Sequence, residues 1–256
     1  MSERPEFVQS LARGIAVIRA FSAEHPRLTL SDVARETGLS RAAARRFLIT
    51  LEELGYVATD GRLFSLRPSV LQIGYSYLSS LTLAQIAQGH LERLALELHE
   101  SCSASVLDND DIVYVARAST NRIMTINLSV GTRLPAHCTS MGRVLLAALS
   151  DEELEAYLES ATLRALTSRT ITDPAELRAE LHLVRQQGWC LLDQELEEGV
   201  RSIAFPLHDA DQKVVAAANA SAHGARVRLD EMREKYVPAL QECAAQIDRD
   251  LAGARY

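Results

Sequence analysis

The 256-residue chain is short of several things, and each shortage excludes a class. Cysteine occurs four times, at Cys102, Cys138, Cys190 and Cys243, with no Cys-x-x-Cys pair. Such scattered thiols make no disulfide framework and suit a reducing compartment. Apolar runs are short, and none approaches the ~20 residues that cross a bilayer. The opening residues, Met-Ser-Glu-Arg-Pro-Glu, lack the apolar stretch of a secretory signal. A soluble, cytoplasmic protein with no membrane partner is the expectation. There is no Gly-x-Ser-x-Gly elbow, no His-Glu-x-x-His helix and no phosphate-cradling glycine loop. Neither catalysis, nor a metal, nor a cofactor is expected. Internal repeats and low-complexity tracts are missing as well.

Lysine is absent from residues 1–67, which carry ten arginines against eight acids, a net of +2. The remainder carries −9 of the total −7. An acidic chain with a mildly basic end fits a protein that touches DNA through that end alone. A net of +2 neutralises few phosphates, so a dimer or a dimer of dimers is expected on DNA.

The basic end has the order of a winged helix-turn-helix. Residues 28–37 read as one short helix, with Ser31 as its N-cap and Leu30, Val33 and Ala34 facing inward. Gly38 supplies the left-handed residue at which that helix stops. Residues 40–54 read as a second helix, capped by Ser40, with Phe47, Leu48, Leu51 and Leu54 as its buried stripe. Arg41, Arg45 and Arg46 stand early in it, and Ala42, Ala43 and Ala44 keep its surface slim. A slim, arginine-bearing helix is what entry into a major groove about 12 Å wide requires. Asp60-Gly61 then joins two short strands as a hairpin. Arg62 beside the turn points towards a phosphate or the minor groove. Before this module, Val8, Leu11, Ile15, Ile18 and Phe21 make the stripe of a supporting core helix.

After Pro68, residues 69–82 read as an apolar linker helix and a candidate dimer contact; another helix follows to residue 100. From Cys102 the periodicity changes. Residues 103–107 and 112–116 read as a hairpin, and 124–130 as a half-buried strand. Helices are expected at 139–149, 151–158 and 174–187, and strands at 189–192, 200–207 and 214–221. One helix is expected over 229–251. The fold class is α+β, with a winged helix at 1–68, a linker at 69–82 and an effector and oligomerisation domain at 83–256. In the last, antiparallel strands carry helices on one face.

Four stretches together resemble the IclR family of bacterial transcription regulators: residues 9–18, the module just described, 134–147 and 197–207. The resemblance implies a winged helix, a linker helix and a GAF-like domain that binds a small effector, assembled as dimers or dimers of dimers on double-stranded operator DNA. Residues 40–47, 138–143 and 219–223 look most like the subgroup controlling aromatic-acid breakdown through the β-ketoadipate pathway. Its effectors are small organic acids such as protocatechuate, 4-hydroxybenzoate, β-ketoadipate or muconate.

The resemblance also implies an effector pocket between the sheet and the segment from Leu134 to Gly142. Ser140, Met141 and Gly142 lie at a helix start, where free N–H groups suit a carboxylate. Asp193 matches a family pocket carboxylate, and Ile123 an apolar wall position. Val200 and Ser202 share one strand face, as do Asn219 and Ser221. Asn219 and Ser221 can also simply satisfy each other. Ser202 stands where some relatives carry Cys, which argues against a glyoxylate- or pyruvate-type effector. Arg143, Arg201 and His223 are further candidates for an acid. His137 beside Cys138 invites a metal or nucleophile reading, but adjacent side chains point apart.

Overall fold

The computed structural model describes residues 6–73, 82–119 and 128–254. The chain forms two compact units, Met1–Ser80 and Leu81–Tyr256.

The first unit runs α1 (Gln9–Arg19), β1 (Arg27–Thr29), α2 (Leu30–Thr37), α3 (Arg41–Glu53), β2 (Val57–Thr59) and β3 (Leu63–Leu66), with sheet order β1-β3-β2. The expected first helix starts late. Residues 27–29 pair with β3 instead, Leu28 opposite Phe64. Thr29, not Ser31, is the N-cap: its hydroxyl accepts from the Asp32 N–H, and the Asp32 carboxylate accepts from the Thr29 N–H. Gly38 ends α2 at φ 65°, as expected. Ala44, Leu48 and Leu51 of α3 are buried, with Phe47 half-buried. Leu54 is not in the stripe; it lies beyond the last helical residue and is 63% exposed.

The expected α1 stripe holds only at its C-terminal end, where Phe21 is buried and Ile18 packs against the core. Val8, Leu11 and Ile15 are exposed, and Val17 and Phe21 are buried. This helix is apolar on more than one side, and the side carrying Val17 packs in the core.

The second unit has α4 (Thr82–Leu98), β4 (Ser101–Asp108), β5 (Asp111–Ala118), β6 (Arg133–Pro135), α5 (Ser140–Ala147), α6 (Asp151–Ser160), α7 (Pro174–Gln187), β7 (Cys190–Asp193), β8 (Val200–His208), β9 (Val214–His223) and α8 (Val237–Gly253). Its six-stranded antiparallel sheet has the order β6-β5-β4-β9-β8-β7. Helices cover both faces rather than one. Leu91 and Leu98 of α4 and Leu240 and Ile247 of α8 join one core; Met141 of α5, Leu154 of α6 and Leu177 of α7 join the other. The central strands explain the difference. In β9, Ala216, Ala218 and Ala220 face the first core while Ala217 faces the second, so small residues on both sides hide the two-sided burial.

The expected strand at 124–130 lies mainly outside the described residues; the described 128–130 are not in a strand. The linker helix lies mostly outside them too, although a 3₁₀ turn at Pro68–Val70 opens it. The C-terminal helix is interrupted by a π turn at Met232–Tyr236, just ahead of Pro238, which has no N–H to continue an α ladder. Among the described residues no helix is long and apolar enough to cross a membrane.

Candidate functional site

Two sites are built, one in each unit. In the first, the Ser40 hydroxyl accepts from the Ala43 N–H at 3.2 Å and starts α3. Arg41, Ala42, Arg45 and Arg46 are all exposed and, by helical spacing, share the outer face; Ile49, 40% exposed, joins them. The arginine pattern did not flag Ile49. At the hairpin, Asp60 Oδ1 accepts from the N–H groups of Arg62 and Leu63 at 3.0 and 2.8 Å. Its other oxygen is held by Arg27, and Gly61 takes φ 92°. The turn therefore presents an exposed Arg62 from a rigid tip. Arg35 is engaged by Asp32 and Glu36. Arg41, Arg45, Arg46 and Arg62 enter no ion pair among the described residues. Four unneutralised guanidinium groups on one exposed helix and its wing are suited to a phosphate backbone and to guanine edges.

In the second unit a cavity lies between the start of α5 and the face made by β7, β8 and β9. It brings together six of the residues singled out by sequence: Ser140, Met141, Val200, Ser202, Asn219 and Ser221. Tyr114, Leu128, Leu192 and Leu196 supply apolar wall. The enclosed space is small, about 30 Å³. Thr139 caps α5, its hydroxyl accepting from the Gly142 N–H at 3.2 Å. The first-turn N–H groups of Ser140 and Met141 have no intrahelical acceptor. The Ser140 hydroxyl and Asn219 Oδ1 are buried without a partner, while Asn219 Nδ2 donates to Ser221 Oγ at 3.0 Å.

Three predicted residues are placed elsewhere, and a fourth is not described. Gly142 is set against the preceding turn, where a Cβ would come within 2.1 Å of the Ala136 carbonyl oxygen, so its role there is close packing. Leu134 sits on β6 opposite Ile112 and packs in the core. Asp193 is turned away by register. It stands opposite Arg201, while Leu192 and Ser202 form the neighbouring pair whose side chains line the cavity. Although burial works to raise its pKa, hydrogen bonds from Arg201 and Gln194 and the charges of Arg201 and Arg169 hold the Asp193 carboxyl below its ordinary value. Ile123 lies outside the described residues.

The candidate acid binders are likewise occupied. Arg201 donates to Asp193 and to the carbonyls of Gly224 and Val227. Arg143, 1% exposed, is held by the Glu195 carboxylate and the His137 carbonyl. His223 is exposed, and its Nδ1 accepts from the Ala225 N–H. His137 is buried against the Arg164 carbonyl at 3.1 Å, and burial lowers its pKa. Burial pushes the Cys138 thiol up to about 12, which makes it a poor nucleophile. No group of three metal-ligating side chains occurs among the described residues.

Sequence reasoning missed Glu195 and Tyr114. Glu195 sits in the acid-rich stretch after β7, to which the sequence assigned no element, yet it lines the cavity, and burial pushes its carboxyl up against the pull of Arg143. Tyr114 was given no role from sequence; it shares a strand face with Ile112 by alternation, and both join one core. A bulge at Ala104/Ser105 then turns both Val115 and Ala116 to the other core.

Comparison with known proteins gives consistent relatives. Residues 10–61 match the profile described as IclR helix-turn-helix domain, and residues 75–249 that of Bacterial transcriptional regulator IclR C-terminal. The Pca regulon regulatory protein of Pseudomonas putida is 49% identical over 250 residues, covering 97% of this chain and 86% of its own. A crystal structure of a transcriptional regulator from Rhodococcus sp. RHA1 is 55% identical, with TM-score 0.87 over 97% of this chain and 100% of its own. A homologue from Microbacterium hydrocarbonoxydans, solved with 4-hydroxybenzoate, is 26% identical, with TM-score 0.85 over 96% of this chain and 100% of its own.

Proposed function

The chain belongs to the IclR family of bacterial transcriptional regulators, and on that premise we propose that its operator binding is set by a carboxylated aromatic acid held in the cavity of the second unit. α3 enters the major groove with Arg41, Arg45 and Arg46, Ser40 and Ala42 lie against the DNA at the helix start, and Arg62 meets the backbone from the wing. The effector's carboxylate takes the Ser140 hydroxyl and the first-turn N–H groups of α5, and its ring takes the apolar walls. The protein works in the cytoplasm as a dimer or dimer of dimers, without catalysing a reaction.

The observation that carries the effector half is the unpartnered Ser140 hydroxyl, 1% exposed, at a helix start inside an apolar-walled cavity. A buried donor at the positive end of a helix is an anion site. The 4-hydroxybenzoate of the Microbacterium homologue and the name of the P. putida relative support an aromatic acid. The small net charge of the DNA module supports assembly, since one module neutralises few phosphates.

A space of about 30 Å³ holds about two or three waters. An aromatic acid therefore enters only if the walls move, and Met141 is the most adaptable of them. Binding is then tied to a change in shape, and a ligand that selects one arrangement shifts operator affinity by its preference for it. Gel-shift titration of the full chain with aromatic acids tests this. Operator affinity should change on adding the right acid; no change with any carboxylated aromatic or ring-cleavage acid would remove the proposed effector class.

A further inference from the structure

Ile49 is an isoleucine at a place where its own unit has no use for one. It stands in α3, 40% exposed, while Phe47, Leu48 and Leu51 of the same helix are half-buried or buried and belong to the core of the first unit. By helical spacing it lies one turn beyond Arg45 and Arg46 and two turns beyond Ala42. It therefore rises between the stems of two arginines, near the middle of the outer face. β-Branching makes isoleucine a slightly poorer helix former than alanine or arginine, so neither packing nor helix formation calls for it. A lone exposed isoleucine is ordinary on a protein surface; here its neighbours decide the reading. Arg45 and Arg46 enter no ion pair among the described residues. An apolar protein partner seated on Ile49 would strip water from both guanidinium groups without matching their charge. The major groove of duplex DNA matches all three side chains at once. It offers phosphates and guanine edges to the arginines, and one apolar group at a base edge, the C5 methyl of thymine.

We infer that Ile49 is a specificity-determining residue of the DNA-reading helix, its side chain packing against the C5 methyl of a thymine in the operator. The inference rests on the reading of α3 as the helix that enters the major groove. It adds to the arginines a contact of another kind. An arginine can settle for a phosphate, which carries no sequence. Ile49 has no hydrogen-bonding atom in its side chain, so among base edges only a thymine methyl rewards it. Burying one such group is worth about fourfold in affinity. The contact displaces no counterion, so its share of the affinity is independent of salt.

The test uses the full-length protein and a duplex that it selects from a random pool. Each thymine of that duplex is replaced in turn by deoxyuridine, which lacks only the methyl. At one thymine in each half-site the replacement should weaken binding about fourfold. In Ile49→Ala the thymine and deoxyuridine duplexes should bind within about 1.5-fold of each other, and the slope of log affinity against log salt should match that of the unmodified protein. Alanine is the better helix former at this exposed position, so the variant keeps α3; thermal unfolding of both proteins checks this. If no thymine is sensitive to loss of its methyl, the inference is overturned. A sensitivity that survives in Ile49→Ala overturns it too, because the methyl is then read elsewhere. Weaker self-association of Ile49→Ala, with no methyl effect in the unmodified protein, overturns it by making Ile49 a subunit contact. Each of these results leaves DNA binding by α3 standing, whereas failure to bind any duplex removes both.

Discussion

Arg143 carries a full charge where almost no water reaches it, and what it touches decides how the cavity is held. Its guanidinium is matched by the Glu195 carboxylate, with Glu180 at 3.9 Å, and its Nε donates to the His137 carbonyl at 2.9 Å. Removing one member of a buried pair strands the other. Glu195→Gln should therefore destabilise the effector unit by about 3–5 kcal/mol in urea unfolding. Arg143→Met with Glu195→Leu should cost less than either single change, because no charge is left uncompensated. A loss under about 1 kcal/mol for Glu195→Gln would mean that Glu180 serves Arg143 equally well. Asp193 gives a pH signature. Its folded pKa lies below the ordinary 3.8, so the unfolded chain takes up the proton first. The stabilisation from its arginine pair is complete above that ordinary value and is lost as pH falls through the lower folded one. Asp193→Asn should flatten the acid limb of stability against pH, and an unchanged limb would show that the pair contributes nothing there.

Elements were legible where one local rule acts alone. Gly38 and Gly188 end their helices in the left-handed region, Ser40 caps α3, and Asp60-Gly61 makes the hairpin. They were misread where two rules compete. Thr29 and Ser31 are both good caps, and only the pairing of Arg27–Thr29 with β3, a contact more than thirty residues away in sequence, selects Thr29. Thr29→Ala should lose about 0.5–2 kcal/mol with the capping box, while Ser31→Ala should be close to neutral in thermal unfolding. The reverse order would restore Ser31 as the cap. The same competition hid the cavity's walls. Alternation placed Ser202, Asn219 and Ser221 together correctly on one face. It could not foresee that Tyr114 of β5 would join the cavity wall, nor that Asp193 would stand opposite Arg201 with its side chain off that wall. Register across strands is a tertiary property, and a one-residue offset moves a side chain to the other side of a sheet.

At the scale of the whole molecule, the formal charge of −7 opposes DNA, and the arginines of α3 and the wing, Arg41, Arg45, Arg46 and Arg62, work against it locally, none of them in an ion pair among the described residues. This makes assembly measurable without a structure of the complex. If each of the four meets a phosphate, the slope of log affinity against log salt should be near −3.6 for one module, about −7 for two and about −14 for four. Operator titrations of the full chain from low to physiological salt read this slope directly. With all four arginines on phosphates, a value near −3.6 would mean a single bound module. Arg45→Ala refines the count. If Arg45 holds a phosphate, the variant should bind all sequences more weakly and flatten the slope by about one for each module present. If it reads a guanine instead, the slope should be nearly unchanged, one operator position should lose its preference, and the loss should be about 1–3 kcal/mol. Full affinity in Arg45→Ala with an unaltered slope would take Arg45 out of the interface. The DNA-facing side of α3 would then have to turn away from the Arg41, Arg45 and Ile49 stripe, towards Ala42 and Arg46.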